Sequence, residues 1–189
     1  MTRMMEGKKA VEWYTMLWAN VKGPKILEVG VGTGRSFTYY PPDADITAID
    51  ISDRMLAKAK QTAKTLAIPV TLKEMDVQKL EFPDNSFDNV VAACTFCSVP
   101  DPVLGLEEIK RVTKPGGKVY FLEHMRHDNR FLGKLMDLLN PITSCLIGPA
   151  INRRTLDNIR KAGLEIIKVE NLGMGGILKL IVASPNKGD

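Results

Sequence analysis

The sequence predicts an α/β fold: a mostly parallel sheet with helices on both faces and an antiparallel last strand. Three observations carry this expectation. Short apolar runs alternate with segments of helical periodicity along most of the chain, the order that parallel βαβ units require. The first apolar run ends in glycines at alternate positions, Gly30, Gly32 and Gly34. The last two apolar runs are separated only by a turn holding Gly173, Gly175 and Gly176. A connection that short leaves no room for a helical crossover, so the final strand must run antiparallel.

Taken in order, a helix is expected over 3–20, a strand over 25–30 and a short helix after Gly34. A strand over 45–50 leads to a helix over 53–66, whose positions Met55, Leu56, Ala59, Ala63 and Leu66 recur at helical spacing and predict one buried face. Val70 to Met75 and Phe87 to Ala93 read as strands. Asp101 and Pro102 form an N-cap and first-turn pair, opening a helix through Leu106, Ile109 and Val112. Lys114-Pro115-Gly116-Gly117 is expected to stop it. Val119 to Glu123 is strand, 129–140 an amphipathic helix, and 153–162 a helix ending at Gly163. Strands over 164–171 and 177–183 close the chain.

The glycine loop is the most informative stretch. Glycines at a strand-to-helix turn let the backbone bend sharply and approach a ligand that a Cβ would exclude. A second apolar run ends in Asp50, sixteen residues after Gly34, and a carboxylate there can accept both hydroxyls of a ribose. Together they describe a nucleoside site. A dinucleotide fingerprint reads G-x-G-x-x-G and seats a pyrophosphate on the helix N-terminus. Here the spacing is G-x-G-x-G, and Glu28 stands two residues before the first glycine. Its carboxylate would repel a pyrophosphate and suits a cationic amino group.

On these residues the chain resembles the class I S-adenosylmethionine-dependent methyltransferases. The likeness continues through Met75-Asp76-Val77, Leu80 to Asp88, and Glu107 to Lys118. It implies a Rossmann-like, seven-stranded sheet and S-adenosyl-L-methionine as cofactor, with S-adenosyl-L-homocysteine as product. It also implies roles by position. Asp76 binds the adenine amino group and Val77 supplies a backbone contact. Ile51 and Met55 cover the adenine, and Ala93 to Thr95 lie beside the methionine part.

Finer likenesses bear on the acceptor. Tyr39-Tyr40-Pro41-Pro42, Cys97-Ser98-Val99 and Phe121-Leu122-Glu123-His124 resemble the alkyl thiol methyltransferases. Leu27 to Ser36 and Met55 to Ala59 are similar to bacterial phosphatidylethanolamine N-methyltransferases. Both imply a small or amphipathic acceptor, a phospholipid amine or an alkyl thiol. A quinone-precursor acceptor and a catalytically silent cofactor-binding protein are the alternatives, and Thr95 to Ser98 departs from the quinone group's pattern.

Methyl transfer requires a free lone pair on the acceptor, so His124, with an ordinary pKa near neutrality, is the expected general base, the alternative being a histidine hydrogen-bonded in a turn. Trp13, Tyr14 and Trp18 cluster in the N-terminal helix. Residues 1–22 are expected either to form a lid in which Tyr14 and the tryptophans face the reacting cation or to pack these rings against the sheet. Trp13, Trp18, Phe96, Phe131 and Met136 are expected to wall the acceptor pocket, and 125–152 to be a substrate-side insertion.

With 189 residues, 44% hydrophobic and 25% charged, the chain fits one ordinary globular domain, 1–189. The net charge is +4, with both ends basic and the glycine-loop half slightly acidic. That is too small an excess for nucleic acid, and suits an anionic surface. Three cysteines without a secretory signal imply a cytoplasmic protein, peripheral at most on the inner membrane face. Phe131 to Ile151 is too interrupted to span a bilayer. Cys94 and Cys97 are assigned to packing or pocket lining, and no metal is expected.

Overall fold

A computed structural model describes residues 2–126, 129, 131, 133, 134, 136, 138 and 152–186, except for the side chains of 2–6 and 174. Most of the expected 129–140 helix and of the 125–152 insertion, with His127 and Arg130, lies outside the described residues.

Helix α1 (Thr2–Trp18) precedes β1 (Lys25–Val29), a 3₁₀ turn (Phe37–Tyr39) and β2 (Asp45–Asp50). Helix α2 (Asp53–Leu66), β3 (Thr71–Glu74), β4 (Phe87–Ala93), α3 (Pro102–Val112) and β5 (Thr113–His124) follow. Helix α4 (Thr155–Lys161), β6 (Glu165–Gly173) and β7 (Leu178–Ser184) complete the order. The seven strands form one sheet in the order β3-β2-β1-β4-β5-β7-β6. The β1–β2, β1–β4, β2–β3 and β4–β5 pairs are parallel. Strand β7 lies antiparallel between β5 and β6.

Because β1 pairs with β2 on one side and β4 on the other, the winding direction reverses between β1 and β4. In open α/β sheets, a ligand crevice forms at the carboxyl ends of the strands flanking such a reversal. Here those ends are the Gly30 loop and the Cys94–Thr95 turn.

The sheet is covered on both faces, which explains its near-continuous apolar central strands. Leu27, Val29, Ile49, Val90 and Phe121 pack with Ile109 of α3 and Ile159 of α4. Facing the other way, Ile26, Val91, Tyr120 and Leu122 pack with Leu17 and Trp18 of α1. On that same side, Ala48 packs with Leu56 and Ala59 of α2.

The helix punctuation follows local chemistry. Ser52 caps α2, its Oγ accepting from Met55 N, and Asp101 caps α3 by accepting from the backbone N–H of Val103 and Leu104. Arg111 locks the connection from β3 to β4: its guanidinium donates to Leu80 O, Phe82 O, Asp84 and Glu108. The Lys114–Gly117 stop needs correction. Helix α3 ends at Val112 and β5 begins at once, Thr113 pairing with Phe87 before a register shift. Lys114 Nζ holds Asp88 Oδ1 at 2.7 Å, so the four residues cross to β4 as irregular strand.

Candidate active site

A cleft of about 420 Å³ opens at the β1/β4 reversal. Its floor is the glycine loop, its far wall the start of α2, and its near wall the turn after β4. The structure brings Gly30, Gly32, Asp50, Ile51, Met55, Asp76, Val77 and Thr95 together around it, from segments as far apart as Gly30 and Thr95 in sequence.

The three loop glycines are required for different reasons. Each has positive φ, +70° at Gly30, +57° at Gly32 and +83° at Gly34. A Cβ on Gly30 would collide with the Thr95 side chain, and one on Gly34 with the Phe37 ring. Those two are glycine because the protein itself fills the space. A Cβ on Gly32 meets nothing within 4 Å, so only Gly32 turns a bare backbone toward open cleft. That is the close approach a cofactor needs.

Asp50 closes the loop from the β2 end. Its Oδ2 accepts from Gly32 N at 2.8 Å and its Oδ1 from Ser52 N at 2.9 Å. The carboxylate therefore fixes the loop and keeps lone pairs for a ligand's hydroxyls. Asp76, across the cleft, is oriented by Gln78, whose backbone N–H donates to Oδ1 and whose Nε2 reaches both carboxylate oxygens. Gln78 Oε1 in turn accepts from Asp101 N, which ties this acid to the cap of α3.

Ile51 and Met55 are 65% and 40% exposed. The expectation that Met55 belongs to the buried face of α2 is corrected: Leu56 and Ala59 form that face. Met55 and Ile51 instead offer flexible apolar surface to the cleft, as suits a flat heterocycle.

The turn after β4 is held from below. Glu123, fully buried at the end of β5, accepts through Oε1 from Thr95 N at 2.8 Å and Phe96 N at 3.1 Å. Its Oε2 has no partner among the described residues, and burial pushes its pKa up to about 7 despite those two hydrogen bonds. Thr95 Oγ1 donates to Val29 O at 3.0 Å, pinning the turn to β1. Cys94 takes φ +54°, unusual for a residue with a Cβ, and its side chain enters the cleft. His124 Nδ1 lies 3.4 Å from Cys94 Sγ. Burial lowers the His124 pKa, while burial and the neighbouring Glu123 and Cys97 push the Cys94 thiol up to about 12.

Other expected site residues sit behind the walls. Glu28 is 2% exposed, its Oε2 accepting from Ser36 Oγ at 2.7 Å and from the Tyr40 hydroxyl. Burial pushes its pKa up to about 7. Gly34 and Ala93 do not line the cleft either; Ala93 packs toward the α1 side of the sheet. Tyr14 stacks on Tyr39 with ring centroids 5.6 Å apart, and burial, reinforced by the nearby Cys94 and Glu28, pushes its phenol up to about 12.

The expected acceptor walls are corrected. Trp18 is 4% and Phe96 1% exposed, so both are core: Trp18 packs on Tyr40 and Phe96 on Phe121. Trp13 donates its indole N–H to Leu172 O, and Phe131 faces solvent, 78% exposed. The residues that do line this side are Cys94, Ser98, Val99 and Pro100. Cys94 is expected from the sequence as packing or pocket lining, whereas Ser98, Val99 and Pro100 are not expected as cleft-lining residues.

A sequence profile described as "Methyltransferase domain" matches residues 27–121, half the chain and the part that builds the cleft. The chain belongs to this methyltransferase family. It is 34% identical over 172 residues to a phosphatidylethanolamine N-methyltransferase of Cereibacter sphaeroides, covering 88% of this chain and 83% of that protein. It is 29% identical to the thiol S-methyltransferase TMT1B of Rattus norvegicus, over 89% of this chain and 72% of the relative. Among solved structures, the YcgJ protein of Bacillus subtilis superposes with a TM-score of 0.77 at 15% identity, covering 94% of this chain and 99% of that one. A SAM-dependent methyltransferase from Aquifex aeolicus superposes with a TM-score of 0.67 at 22% identity, covering 88% and 84%. The fold is thus that of the Rossmann-like class I methyltransferases, and S-adenosyl-L-methionine is the cofactor. The open face of Gly32 and the apolar rim at Ile51 and Met55 fit it.

Proposed function

We propose that this methyltransferase acts on an amphipathic acceptor, with a phospholipid amine of the phosphatidylethanolamine type first and an alkyl thiol second. The observation that carries the reading is the similarity to a phosphatidylethanolamine N-methyltransferase along 88% of the chain. The thiol alternative rests on a likeness of nearly equal span.

In this proposal the Gly30–Gly32 backbone, Asp50 and Asp76 hold the polar parts of the cofactor, and Ile51, Met55 and Val77 its heterocycle. Bound there, S-adenosylmethionine supplies an electrophilic methyl group on a sulfonium. What the protein adds is alignment of the acceptor and removal of its proton.

The titratable groups around the turn after β4 divide the labour. Tyr14 and Cys94, both pushed up to about 12, stay protonated at neutral pH. For Cys94 this matters chemically: a thiolate in the cleft would itself be a soft nucleophile competing for the methyl group. His124, its pKa lowered by burial, is the base this reading assigns to the ammonium or thiol; it stands behind Cys94, its Nδ1 3.4 Å from Sγ, and is not among the residues that line the cleft. Among the described residues no helix is long and apolar enough to cross a membrane.

The test is a panel of soluble short-chain phosphatidylethanolamine, alkyl thiols and a demethylated quinol, with S-adenosylhomocysteine formation as readout. The reading expects the amine or thiol series to turn over. Each added methylene should raise kcat/KM about threefold to fourfold until the pocket is full, from ~0.8 kcal/mol per buried CH₂. Turnover of the quinol alone would discard it.

A further inference from the structure

A second cleft, about 290 Å³, is lined by Met125 and Arg126 after β5 and by Arg153, Arg154, Thr155, Leu156, Asp157 and Arg160 around the start of α4. Four of these eight residues are arginines and one is an acid. Asp157 faces Arg160 at 3.4 Å, with both side chains more than half exposed. Asp157 offsets one charge among the described lining residues.

The arginines are placed rather than merely gathered. Arg153 Nη2 donates to Val99 O at 2.8 Å, and Arg126 N donates to Arg153 O at 3.0 Å. The first bond ties the Arg153 guanidinium to the turn after β4, and the second ties the Arg153 backbone to the end of β5. Its Nε–H is buried and has no partner among the described residues. A buried guanidinium donor without an acceptor is unfavourable, so this side chain is held at the cleft wall at a cost. A guanidinium fork suits the tetrahedral oxygens of a phosphate better than an ammonium does.

Position links this cleft to the first. Val99 walls the cofactor cleft, and the carbonyl of the same residue anchors Arg153. That bond ties the arginine cleft to the turn that walls the first. We propose that the arginine cleft is a phosphate-binding subsite, which receives the phosphate of the acceptor while its methylated atom lies beyond Val99. The acceptor assignment rests on the phospholipid-amine reading above. The anion subsite itself rests on the arginine geometry.

The test uses inorganic phosphate and phosphoethanolamine as probes, by calorimetry in the presence of S-adenosylhomocysteine. The parent should bind phosphoethanolamine, more weakly as salt is raised. The double variant Arg154→Ala, Arg160→Ala should bind it at least tenfold more weakly at an unchanged melting temperature. Arg154→Lys with Arg160→Lys should restore much of that loss. The KM for short-chain phosphatidylethanolamine should rise by a comparable factor in the alanine variant, with kcat nearly unchanged. Equal affinity in parent and alanine variant would overturn the subsite. Inorganic phosphate binding as tightly as phosphoethanolamine would support a site reading the phosphate alone. If the arginine-dependent binding is found and no phospholipid amine is methylated, the subsite stands and the acceptor reading falls.

Discussion

Asp50 is the residue on which the cofactor site turns, and Asp50→Ala separates its two tasks. In the folded protein its carboxylate accepts one hydrogen bond from Gly32 N at 2.8 Å and another from Ser52 N at 2.9 Å. The side chain is half-buried, so each bond deserves less than the ~1.5–3 kcal/mol of a fully desolvated charged pair. Losing both should cost about 1–2 kcal/mol of stability. A ligand hydroxyl held by the same carboxylate adds a charge-assisted bond, so cofactor affinity should fall by about 1.5–3 kcal/mol, roughly tenfold to a hundredfold. Asp50→Asn keeps one acceptor but turns an NH₂ toward a backbone N–H, so it should rescue little. Calorimetric titration with S-adenosylhomocysteine reads the affinity, and thermal melting without ligand reads the loop. Parental affinity in Asp50→Ala would refute the assignment. A large stability loss with unaltered affinity per folded molecule would leave Asp50 a loop brace only.

The glycines make a matched pair: Gly32→Ala should fold with a penalty near 1 kcal/mol for its positive φ yet lose most cofactor binding. Gly30→Ala, which collides with Thr95, should instead lower the melting temperature sharply, and the reverse pattern would exchange their roles. Glu123 has its folded pKa raised from 4.5 to about 7, so the folded state binds the extra proton between those values. Its contribution is therefore fully present below pH 4.5 and is lost as pH rises through 7, on the order of 3 kcal/mol. Glu123→Gln, which keeps an acceptor for Thr95 N and Phe96 N, should flatten the decline in chemical denaturation measured from pH 5 to 8; an unchanged slope would contradict the buried-carboxyl account. His124→Gln should slow turnover on the order of a hundredfold at pH 7 and progressively less toward the acceptor's own pKa. A deficit that does not change with pH would make that histidine structural.

What the sequence revealed tracks how local the cause was. The glycine loop and Asp50 were legible because one strand-to-helix turn and one strand end fix them, and the Asp101–Pro102 cap because it is a contact within one turn. The antiparallel β7 followed from the short connection at Gly173 to Gly176. The roles of Glu28, Trp18 and Phe96 were less legible because burial is a tertiary property: nothing near Glu28 announces that Ser36 and Tyr40 fold back over it. Met55 was set on the wrong face because a 3.6-residue period admits it to the edge of the apolar stripe, and only packing against Ala48 selects Leu56 and Ala59. The Arg153–Val99 bond joins residues 54 apart in sequence, beyond the reach of any spacing rule.

The most direct test of the account follows label from S-adenosyl[methyl-³H]methionine into short-chain phosphatidylethanolamine, with an alkyl thiol in parallel. The account predicts labelled product from the amine or the thiol, one S-adenosylhomocysteine per methyl transferred, and both signals reduced roughly tenfold to a hundredfold in Asp50→Ala at subsaturating cofactor. Tight cofactor binding with no labelled product from either acceptor would contradict it.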